Sequence, residues 1–306
     1  MKGISVVIPS FNRAHLLEQT IPTYLQDGVE EVWVIDDAST DNTPEVLQKL
    51  SAKYPQIKSV RNAINVKQAA AKNRGIDLAA CDWIYFGDDD SILYPDSIPL
   101  LRDTQLQYNA DIVAAKAIYM DPGESVSDLE SVVVKRNKLG NPIKNMNKLE
   151  VDFTYSTLAP KPMKLAQACF LVKKRDAQKI YFDAESYLGS GYREETDFII
   201  RAIDLGLSLI YDPRAVQINL PREKTSGGSR SSSPLKYELS VLSNNAKFLK
   251  KNHRILREHY EVTWSATRMQ IHFFISRLPF LSRAIAKGLF PRLYGQLRNF
   301  KRRLLG

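Results

Sequence analysis

Three consecutive carboxylates, Asp88 to Asp90, directly follow an apolar run that ends at Phe86. Like charges this close raise one another's pKa, so a divalent cation is the natural way to hold them together. Mg²⁺ and Mn²⁺ prefer hard oxygen ligands, commonly one or two carboxylates plus substrate phosphates. In an extended segment Asp88 and Asp90 point to one side and Asp89 to the other. The pattern predicts a metal at Asp88 and Asp90, with Asp89 turned towards substrate; a solvated acidic turn is the alternative.

These carboxylates follow a strand–helix alternation that fills the first hundred residues. The predicted strands are 4–9, 31–35, 57–60 and 83–86, and the predicted helices are 15–25, 43–54 and 67–78. This repetition is typical of an α/β fold with a mostly parallel central sheet and helices on both faces. Ligands in such sheets bind outside the carboxyl ends of the strands. Asp36 and Asp37, which follow the second strand, lie at such an end, as do the three aspartates.

Beyond residue 100 the alternation is interrupted and then resumes. Residues 121–163 are irregular and contain several Gly, Pro and Asn residues, which predicts an insertion or long loop. A short hairpin is expected around Val132–Val134. A strand from Ala168 to Val172 and a helix from Glu194 to Leu205 return to the core pattern.

The predicted domain organisation is a body of residues 1–234, with halves 1–100 and 101–234, and a helical C-terminal extension of residues 235–306. The charge is divided in the same way. The net charge is +9, but from Lys247 to the end 14 Lys and Arg stand against 2 acids, a local excess of +12. The preceding residues therefore sum to −3, and the basic character belongs to the extension.

The extension alternates bulky apolar residues with Lys and Arg at helical spacing, and Pro279 and Pro291 are expected to divide it into short helices. Basic amphipathic helices can lie in the interface of an anionic membrane. The alternative is that they pack on the body or on another subunit, so an oligomer formed through these helices stays open. Nucleic acid is not an expected partner, because no nucleic-acid-binding module accompanies the charge.

The sequence has no pattern of export or membrane insertion. Its N-terminus lacks the long apolar segment of a signal peptide, and no run of about 18 apolar residues occurs. Cys81 and Cys169 show no pairing pattern, which is typical of a reducing compartment. We therefore expect a cytoplasmic protein, peripheral at the inner face of the membrane where the extension binds lipid.

Four segments, in order, resemble the motifs of glycosyltransferase family 2. They are Ser5-Val-Val-Ile-Pro-Ser-Phe-Asn-Arg13, Val34-Ile-Asp-Asp-Ala-Ser-Thr-Asp-Asn-Thr43, Ala71-Lys-Asn-Arg-Gly75 and Phe86-Gly-Asp-Asp-Asp90. The resemblance implies the GT-A fold and a nucleotide-sugar donor. It also implies a DXD metal site for Mn²⁺ or Mg²⁺ at Asp88 and Asp90.

The same resemblance assigns the contacts to the donor. The first loop would bind the nucleotide, through Pro9, Ser10, Phe11 and Arg13. An acid of the pair Asp36 and Asp37 would contact the nucleobase and ribose. Lys72 and Arg74 stand close enough in their motif to reach a base or a phosphate, and a solvated helix face is the alternative for both. Asn73, between them, is a further candidate for a contact to substrate.

A fifth segment, from Tyr192 to Arg201, resembles the acidic motif with which the family begins a helix. The second acid of that motif serves the family as catalytic base, and Glu195 corresponds to it. The base takes the proton of the acceptor hydroxyl while its oxygen attacks the anomeric carbon, which is a single displacement with inversion. Glu194 and Asp197 are rival bases. Acids placed in the first turn by the helix dipole are the alternative without catalysis.

Two departures from the family pattern concern the metal and the diphosphate. The family often has a histidine that completes the metal site, and Asn219 stands at that position here. Asn supplies a neutral oxygen, which is a weaker ligand, so the metal would depend on Asp90, phosphates and water. The segment Thr225–Arg230 resembles a loop that closes over the donor, in which Arg230 could hold the diphosphate. A linker without this role is the alternative.

The resemblance thus implies an inverting glycosyltransferase, which we expect to move a sugar, with a UDP-sugar favoured, to a glycan or lipid-linked acceptor in polysaccharide biosynthesis. Two other hypotheses stay open. A sugar nucleotidyltransferase resembles a pattern with a GxGxR loop, whereas this loop runs from Pro9 to Arg13 without glycine. A non-catalytic nucleotide-sugar-binding scaffold would be supported by loss of the acids, but Asp88, Asp90 and Glu195 are present.

Overall fold

The computed structural model describes residues 3–187, 189–221, 223–225 and 233–289. Its main sheet has nine strands, and two small two-stranded sheets accompany it. The strands are β1 (Ile4–Ser10), β2 (Val29–Asp36), β3 (Ile57–Arg61), β4 (Trp83–Phe86), β5 (Ser91–Leu93), β6 (Ile112–Tyr119), β7 (Lys138–Leu139), β8 (Ile143–Asn145), β9 (Glu150–Val151), β10 (Tyr155–Ser156), β11 (Lys161–Pro162), β12 (Phe170–Lys173) and β13 (Leu209–Asn219).

Helices cover both faces of this sheet. They are α1 (Ala14–Thr20), α2 (Thr43–Lys53), α3 (Lys67–Leu78), α4 (Ser97–Tyr108), α5 (Leu129–Lys135), α6 (Lys174–Ile180), α7 (Glu194–Asp204), α8 (Pro234–His259) and α9 (Ala266–Leu289). Alternate residues of β1 show the two layers, because Val6 and Ile8 pack with α1, α2 and α4, and Val7 packs with α3, α6, α7 and α8.

The strand order is β11-β13-β6-β12-β4-β1-β2-β3, with β5 paired to β13. The half from β3 to β4 is parallel throughout. β12 then inserts antiparallel between β4 and β6, and β13 returns to a parallel pairing with β6. The predicted α/β fold with flanking helices and a helical C-terminal region is confirmed, and the sheet is mixed beyond β4.

The packing of α3 on β1 depends on a glycine. A Cβ built on Gly75 would lie 2.2 Å from Val7 Cγ1, so any larger residue would push the helix away from the sheet. Overpacking of this kind typically costs about 1–3 kcal/mol. The close approach also fixes the depth of Lys72, one turn earlier on the same helix.

The insertion contains one prediction that is wrong. Residues around Val132–Val134 form α5 and not a hairpin. Three β-branched residues favour a strand locally, but packing decides such short segments. Val132 is buried against a small apolar cluster that includes Ile118 and Ile218, and this burial stabilises the helix in place.

The C-terminal extension is built from α8 and α9. Phe248 and Leu256 of α8 are fully buried in the core shared with α7, so the extension packs on the body. α9 runs through Pro279 without interruption, contrary to the expected break there, and Pro291 lies outside the described residues. Pro279 has no N–H to donate to the Ile275 carbonyl. Both residues are exposed, so water can hydrate that carbonyl. Within the described ranges, no helix is long and apolar enough to span a membrane.

Candidate active site

A cavity of about 760 Å³ begins at the carboxyl ends of β1 and β4 and extends to the loop before α7. Its lining includes eleven of the predicted site residues: Pro9, Ser10, Phe11, Arg13, Asp37, Asp88, Asp89, Asp90, Glu194, Glu195 and Asn219. The lining does not include Asp36, Lys72, Asn73, Arg74 and Asp197. Arg230 lies outside the described residues. The fold therefore brings the candidate metal ligands and the candidate bases to one cavity.

The turn that carries the three aspartates is held by Tyr24. The Tyr24 hydroxyl donates to the Asp88 carbonyl oxygen at 2.9 Å and accepts from the Asp88 backbone N–H at 3.1 Å. Gly87 permits this contact, because a Cβ there would lie 2.6 Å from Tyr24 Cε1. From β13, Gln217 donates through Nε2 to Asp88 Oδ2 at 2.9 Å and so orients the carboxylate.

Arg13 contacts two of the three aspartates, which differs from the alternation expected for an extended strand. Its Nε lies 3.6 Å from Asp89 Oδ1, and its NH2 lies 3.3 Å from Asp90 Oδ2. The reason is that the chain leaves β4 at Phe86 and turns, so successive side chains no longer point to opposite sides. Arg13 is buried, and its Nε and NH1 have no hydrogen-bond acceptor among the described residues. Such orphaned N–H groups in a cavity wall suit an anionic ligand.

The chemistry of the acidic turn fits a divalent cation. Burial raises the pKa of Asp88 to about 6 and the pKa of Asp89 to about 7, and the charge of Asp90 adds to both shifts. A cation beside them would lower these pKa values and keep the carboxylates ionised. Asn219 is a weaker candidate ligand for the cation, because its Oδ1 already accepts a hydrogen bond from Ser91 Oγ at 2.9 Å. Asp88 and Asp90 are therefore the principal candidate ligands.

The candidate bases Glu194 and Glu195 share one buried cation. Lys72 of α3 places its Nζ 3.1 Å from Glu194 Oε1 and 2.7 Å from Glu195 Oε1. The Lys72 side chain has no exposed surface, and its Nζ lies 4.9 Å from the centre of the Phe182 ring. Lys72 is thus a partner of the acids within the protein, whereas the sequence predicted a contact to substrate.

The two glutamates have different surroundings. The Glu194 side chain is 2% exposed, and the Glu195 side chain is 23% exposed. Burial raises the pKa of Glu194 to about 8, and the charge of Glu195 adds to the shift while Lys72 opposes it. Paired acids held in unlike environments can take different roles. Glu194 is suited to keep a proton, and the more accessible Glu195 is suited to accept one.

Asp197, the third predicted base, lies in surroundings unlike those of Glu194 and Glu195. It is fully buried and does not line the cavity. Its carboxylate accepts hydrogen bonds from Tyr187 Oη (3.0 Å), Arg201 Nε (2.7 Å), Lys251 Nζ (3.1 Å) and Asn252 Nδ2 (2.7 Å). These donors come from α7, α8 and the loop between α6 and α7, so Asp197 joins the body to the extension.

Three other residues that were predicted to contact the donor form hydrogen bonds within the protein. Asn73 exchanges two hydrogen bonds of 2.8 Å with the backbone of Phe182. Asp36 accepts from the Ser39 N–H and from Arg61. Arg74 donates to the carbonyl of Arg61 and to the Asn62 side chain.

Asp37 has both a structural and a cavity-facing position. Its Oδ1 accepts from Asn62 Nδ2 and the Val66 N–H, and its Oδ2 accepts from the Lys67 N–H, each at 2.8 Å. It nevertheless lines the cavity, so it remains a candidate for a contact to the donor.

Sequence reasoning missed three residues that shape the site. Tyr24 and Gln217 hold Asp88, and Gln68 Nε2 donates to Glu195 Oε1 at 3.1 Å. Gln68 lies one turn before Lys72 on α3, so the helical spacing that placed Lys72 could have pointed to it. Tyr24 and Gln217 give no such signal, because only the folded chain brings them to the turn.

The model of the family described as glycosyl transferase family 2 matches residues 5–159. Among curated proteins, the poly(ribitol-phosphate) beta-N-acetylglucosaminyltransferase TarP of Staphylococcus aureus is 28% identical over 134 residues, which cover 41% of this chain and 40% of TarP. The GalNAc(5)-diNAcBac-PP-undecaprenol beta-1,3-glucosyltransferase of Campylobacter jejuni is 35% identical over 105 residues, which cover 33% of this chain and 34% of that enzyme. The chain thus matches only about two fifths or less of these relatives' own lengths.

Solved structures share the fold over most of the chain. S. aureus TarS 1-349 in complex with UDP-GlcNAc superposes with a TM-score of 0.57 at 16% identity, covering 93% of this chain and 80% of TarS 1-349. The mannosyltransferase PcManGT of Pyrobaculum calidifontis, in complex with GDP-Man and Mn²⁺, gives a TM-score of 0.56 at 16% identity, covering 98% and 79%. At this identity the likeness concerns the fold alone.

Proposed function

Because this chain belongs to glycosyl transferase family 2, we propose that it transfers a sugar from a nucleotide-sugar donor to a hydroxyl of a glycan or lipid-linked acceptor, with inversion at the anomeric carbon. One observation carries the proposal. The acidic turn of Asp88 to Asp90 and the Lys72-bound Glu195 line the same cavity, so a donor diphosphate and an acceptor base can meet there.

The donor end of the cavity is suited to a nucleoside diphosphate. Asp88 and Asp90 would hold Mn²⁺ or Mg²⁺, which neutralises the charge that develops on the departing diphosphate. Arg13 adds two donor nitrogens, Nε and NH1, that lack acceptors within the described chain. Phe11 and Asp37 line the part of the cavity suited to the nucleotide. We favour UDP as the nucleotide, in keeping with the resembled family and with the UDP-GlcNAc held by TarS 1-349.

The acceptor end performs the proton transfer. Glu195 would accept the proton of the acceptor hydroxyl on a carboxylate oxygen, while the hydroxyl oxygen bonds to the anomeric carbon. The bond from that carbon to the diphosphate oxygen breaks, and its electron pair leaves with the nucleotide. Lys72 and Gln68 fix the Glu195 carboxylate for this step. A single base on the opposite side from the leaving group gives an inverted product.

The acceptor we propose carries phosphate and belongs to a membrane-linked glycan. TarP acts on poly(ribitol-phosphate), and the C. jejuni relative acts on an undecaprenol-diphosphate-linked glycan, by their names. Both acceptors combine hydroxyls with phosphate groups. The proposed enzyme therefore acts in the synthesis of a polysaccharide or glycan of this kind.

The outer face of α9 supports association with a membrane surface. We define this face by five exposed apolar residues at helical spacing: Ile271, Phe274, Ile275, Leu278 and Ile285. Exposed Arg283 and Lys287 lie on the same helix, and the sequence after it adds more Arg and Lys. An apolar face bordered by cations matches an anionic bilayer, which offers both acyl chains and negative headgroups. We propose peripheral binding through this face.

A thermal-shift titration tests the donor proposal. The purified chain is heated with UDP, GDP, dTDP, CMP or their sugars, with and without Mn²⁺. We expect stabilisation by UDP or a UDP-sugar only when Mn²⁺ is present, because ligand that binds the folded state raises the melting temperature. Stabilisation by a nucleoside triphosphate with a sugar 1-phosphate would instead support a nucleotidyltransferase. Donor binding without transfer to any hydroxyl would support the scaffold.

A further inference from the structure

Arg193, the residue before α7, has a backbone conformation that favours glycine. Its φ is 79°, in the left-handed region that costs free energy for a residue with a Cβ. Strained residues of this kind persist where the surrounding structure holds them, and they cluster at functional sites. Arg193 also lines the cavity and immediately precedes Glu194 and Glu195. An arginine at this position therefore calls for a function of its side chain.

The guanidinium of Arg193 is held in a fixed place by aromatic rings. Its central carbon lies 4.8 Å from the Tyr192 ring centre, 5.5 Å from that of Phe248 and 5.8 Å from that of Phe273. Its Nε donates to Asn245 Oδ1 at 3.0 Å. Contacts of this kind orient a cation without neutralising it. The rings come from both helices of the extension and from the loop, so the extension positions this cation.

The cation keeps unused donors. Within the described residues, the guanidinium donates a hydrogen bond through its Nε–H alone, and it forms no ion pair with a carboxylate. A guanidinium has five N–H groups in a planar fork that matches the oxygens of a phosphate. Among the residues that the structure describes, NH1 and NH2 of Arg193 thus form a preformed and incompletely used anion-binding fork in the cavity that Glu195 also lines.

We propose that Arg193 binds a phosphate group of the acceptor and thereby brings the acceptor hydroxyl to Glu195. This inference rests on the proposed function and adds to it the residue that recognises the acceptor's charge. The donor diphosphate has its own partners, since Asp88, Asp90 and Arg13 lie at the carboxyl ends of β1 and β4. Arg193 instead lines the cavity where α7 begins, and the first turn of that helix carries Glu195, which the acceptor hydroxyl must reach.

The test measures binding of hexyl phosphate, a soluble probe with one phosphate, by calorimetry. UDP and Mn²⁺ are present at saturation so that the donor site is filled, and hexanol is the neutral control. Arg193→Met removes the cation but keeps an apolar stem on the three rings. Arg193→Lys keeps the charge but loses the fork. Arg175→Met is the matched control, because the Arg175 side chain is 73% exposed on α6 and does not line the cavity.

We expect Arg193→Met to weaken hexyl phosphate binding at least tenfold, Arg193→Lys to weaken it less, and Arg175→Met to leave it unchanged. Binding of UDP with Mn²⁺ should be the same in all variants. Equal affinity of the unmodified chain for hexyl phosphate and hexanol would overturn the proposal, and so would full affinity in both Arg193 variants. Folding of each variant is checked by circular dichroism. If Arg193→Met does not fold, hexyl phosphate binding to Arg193→Lys tests the proposal.

Two further arms separate the possible sources of failure. Sedimentation with vesicles containing phosphatidylglycerol should be equal for the unmodified chain and Arg193→Met. Loss of sedimentation without loss of hexyl phosphate binding would overturn the proposal in favour of a headgroup contact. Repeating the hexyl phosphate titration without UDP and Mn²⁺ keeps this test independent of the donor. If UDP fails to bind while Arg193 still binds the phosphate, the proposed function fails and the anion site stands.

Discussion

Lys72 Nζ lies 2.7 Å from Glu195 Oε1 in a position with no exposed surface, so the candidate base is held by a buried cation. The same Nζ lies 3.1 Å from Glu194 Oε1. One positive charge therefore contacts two carboxyl groups. Burial raises the pKa of Glu194 to about 8, which indicates that this group keeps its proton near neutral pH. The arrangement leaves Glu195 as the carboxylate available to the acceptor.

Substituting Glu195 by Gln should abolish most of the turnover while donor binding stays intact. The amide preserves the shape of the side chain and a hydrogen bond to Gln68 or Lys72, but it cannot take a proton. General base catalysis contributes about 10²–10⁴-fold, so we expect kcat to fall by that amount. Single-turnover sugar transfer and calorimetry of UDP with Mn²⁺ measure the two effects. Turnover within about threefold of the unmodified enzyme would exclude Glu195 as the base.

Replacing Lys72 by Met should lower the turnover and leave donor binding intact. Without the cation, the Glu195 carboxylate loses the hydrogen bond of 2.7 Å from Lys72 Nζ that holds it in place. We expect kcat to fall at least tenfold, while the affinity for UDP with Mn²⁺ stays unchanged. Removing one partner of a buried pair also costs about 3–5 kcal/mol of stability, so assays are run well below the new Tm. A kcat within about threefold of the unmodified enzyme would show that Lys72 is only structural.

The Glu194→Gln variant should gain stability relative to the unmodified chain as the pH rises. The folded-state pKa of Glu194 is raised to about 8 from 4.5, so its contribution to stability is full below about pH 4.5 and is lost as the pH rises through about 8. Lys72, whose pKa is raised, stays charged throughout. Gln, which is neutral at every pH, removes this loss.

Urea unfolding at pH 5.5 and pH 8.5 measures this effect. The difference in unfolding free energy between Glu194→Gln and the unmodified chain should shift in favour of the variant at pH 8.5. Glu130→Gln is the matched control, because Glu130 is exposed on α5 and should show no such shift. The same difference at both pH values would mean that Glu194 is ionised in the folded state at neutral pH.

Much of the first half of the fold could be predicted from sequence, because strong periodicity determines it. Lys67–Leu78 and Trp83–Phe86 have the predicted bounds. β13 lies outside these periodic segments and runs from Leu209 to Asn219 through Pro213. A register shift between Asp212 and Val216 accommodates the proline. A bulge of this kind depends on pairing with a strand distant in sequence, so local patterns do not reveal it.

The candidate site was predictable in its acids but not in their partners. Motif spacing predicted Asp88, Asp90 and Glu195 as site residues, and the fold places all three in the lining of one cavity. Lys72 was predicted to contact substrate, yet its partners are two glutamates on α7. Asp197 is an acid and was therefore a candidate base, but its carboxylate accepts hydrogen bonds from four side chains. Burial and pairing across the fold decide between such roles, and neither is visible from one segment.

Replacing Asp90 by Ala should abolish the metal dependence of donor binding. Asp90 is one of two principal candidate ligands, and its loss leaves Asp88 to hold the cation with the donor phosphates. We expect the affinity for UDP in the presence of Mn²⁺ to fall at least tenfold, towards the value without metal. Calorimetry measures both, and Asp103→Ala is the matched control because Asp103 is exposed on α4. Unchanged affinity in Asp90→Ala would count against the metal site at this turn.

Substituting Ile275 by Glu should weaken binding to anionic vesicles. Ile275 is 56% exposed at the centre of the outer face of α9, where a carboxylate would lose apolar burial and repel phosphatidylglycerol headgroups. Burying an isoleucine contributes about 2 kcal/mol, so we expect the partition coefficient to fall at least tenfold. Sedimentation with phosphatidylglycerol and with neutral phosphatidylcholine vesicles measures the effect. Leu158→Glu is the matched control, because Leu158 is 91% exposed in the insertion. Unchanged sedimentation, with a change in oligomeric state by light scattering, would assign the outer face to a second copy of the chain.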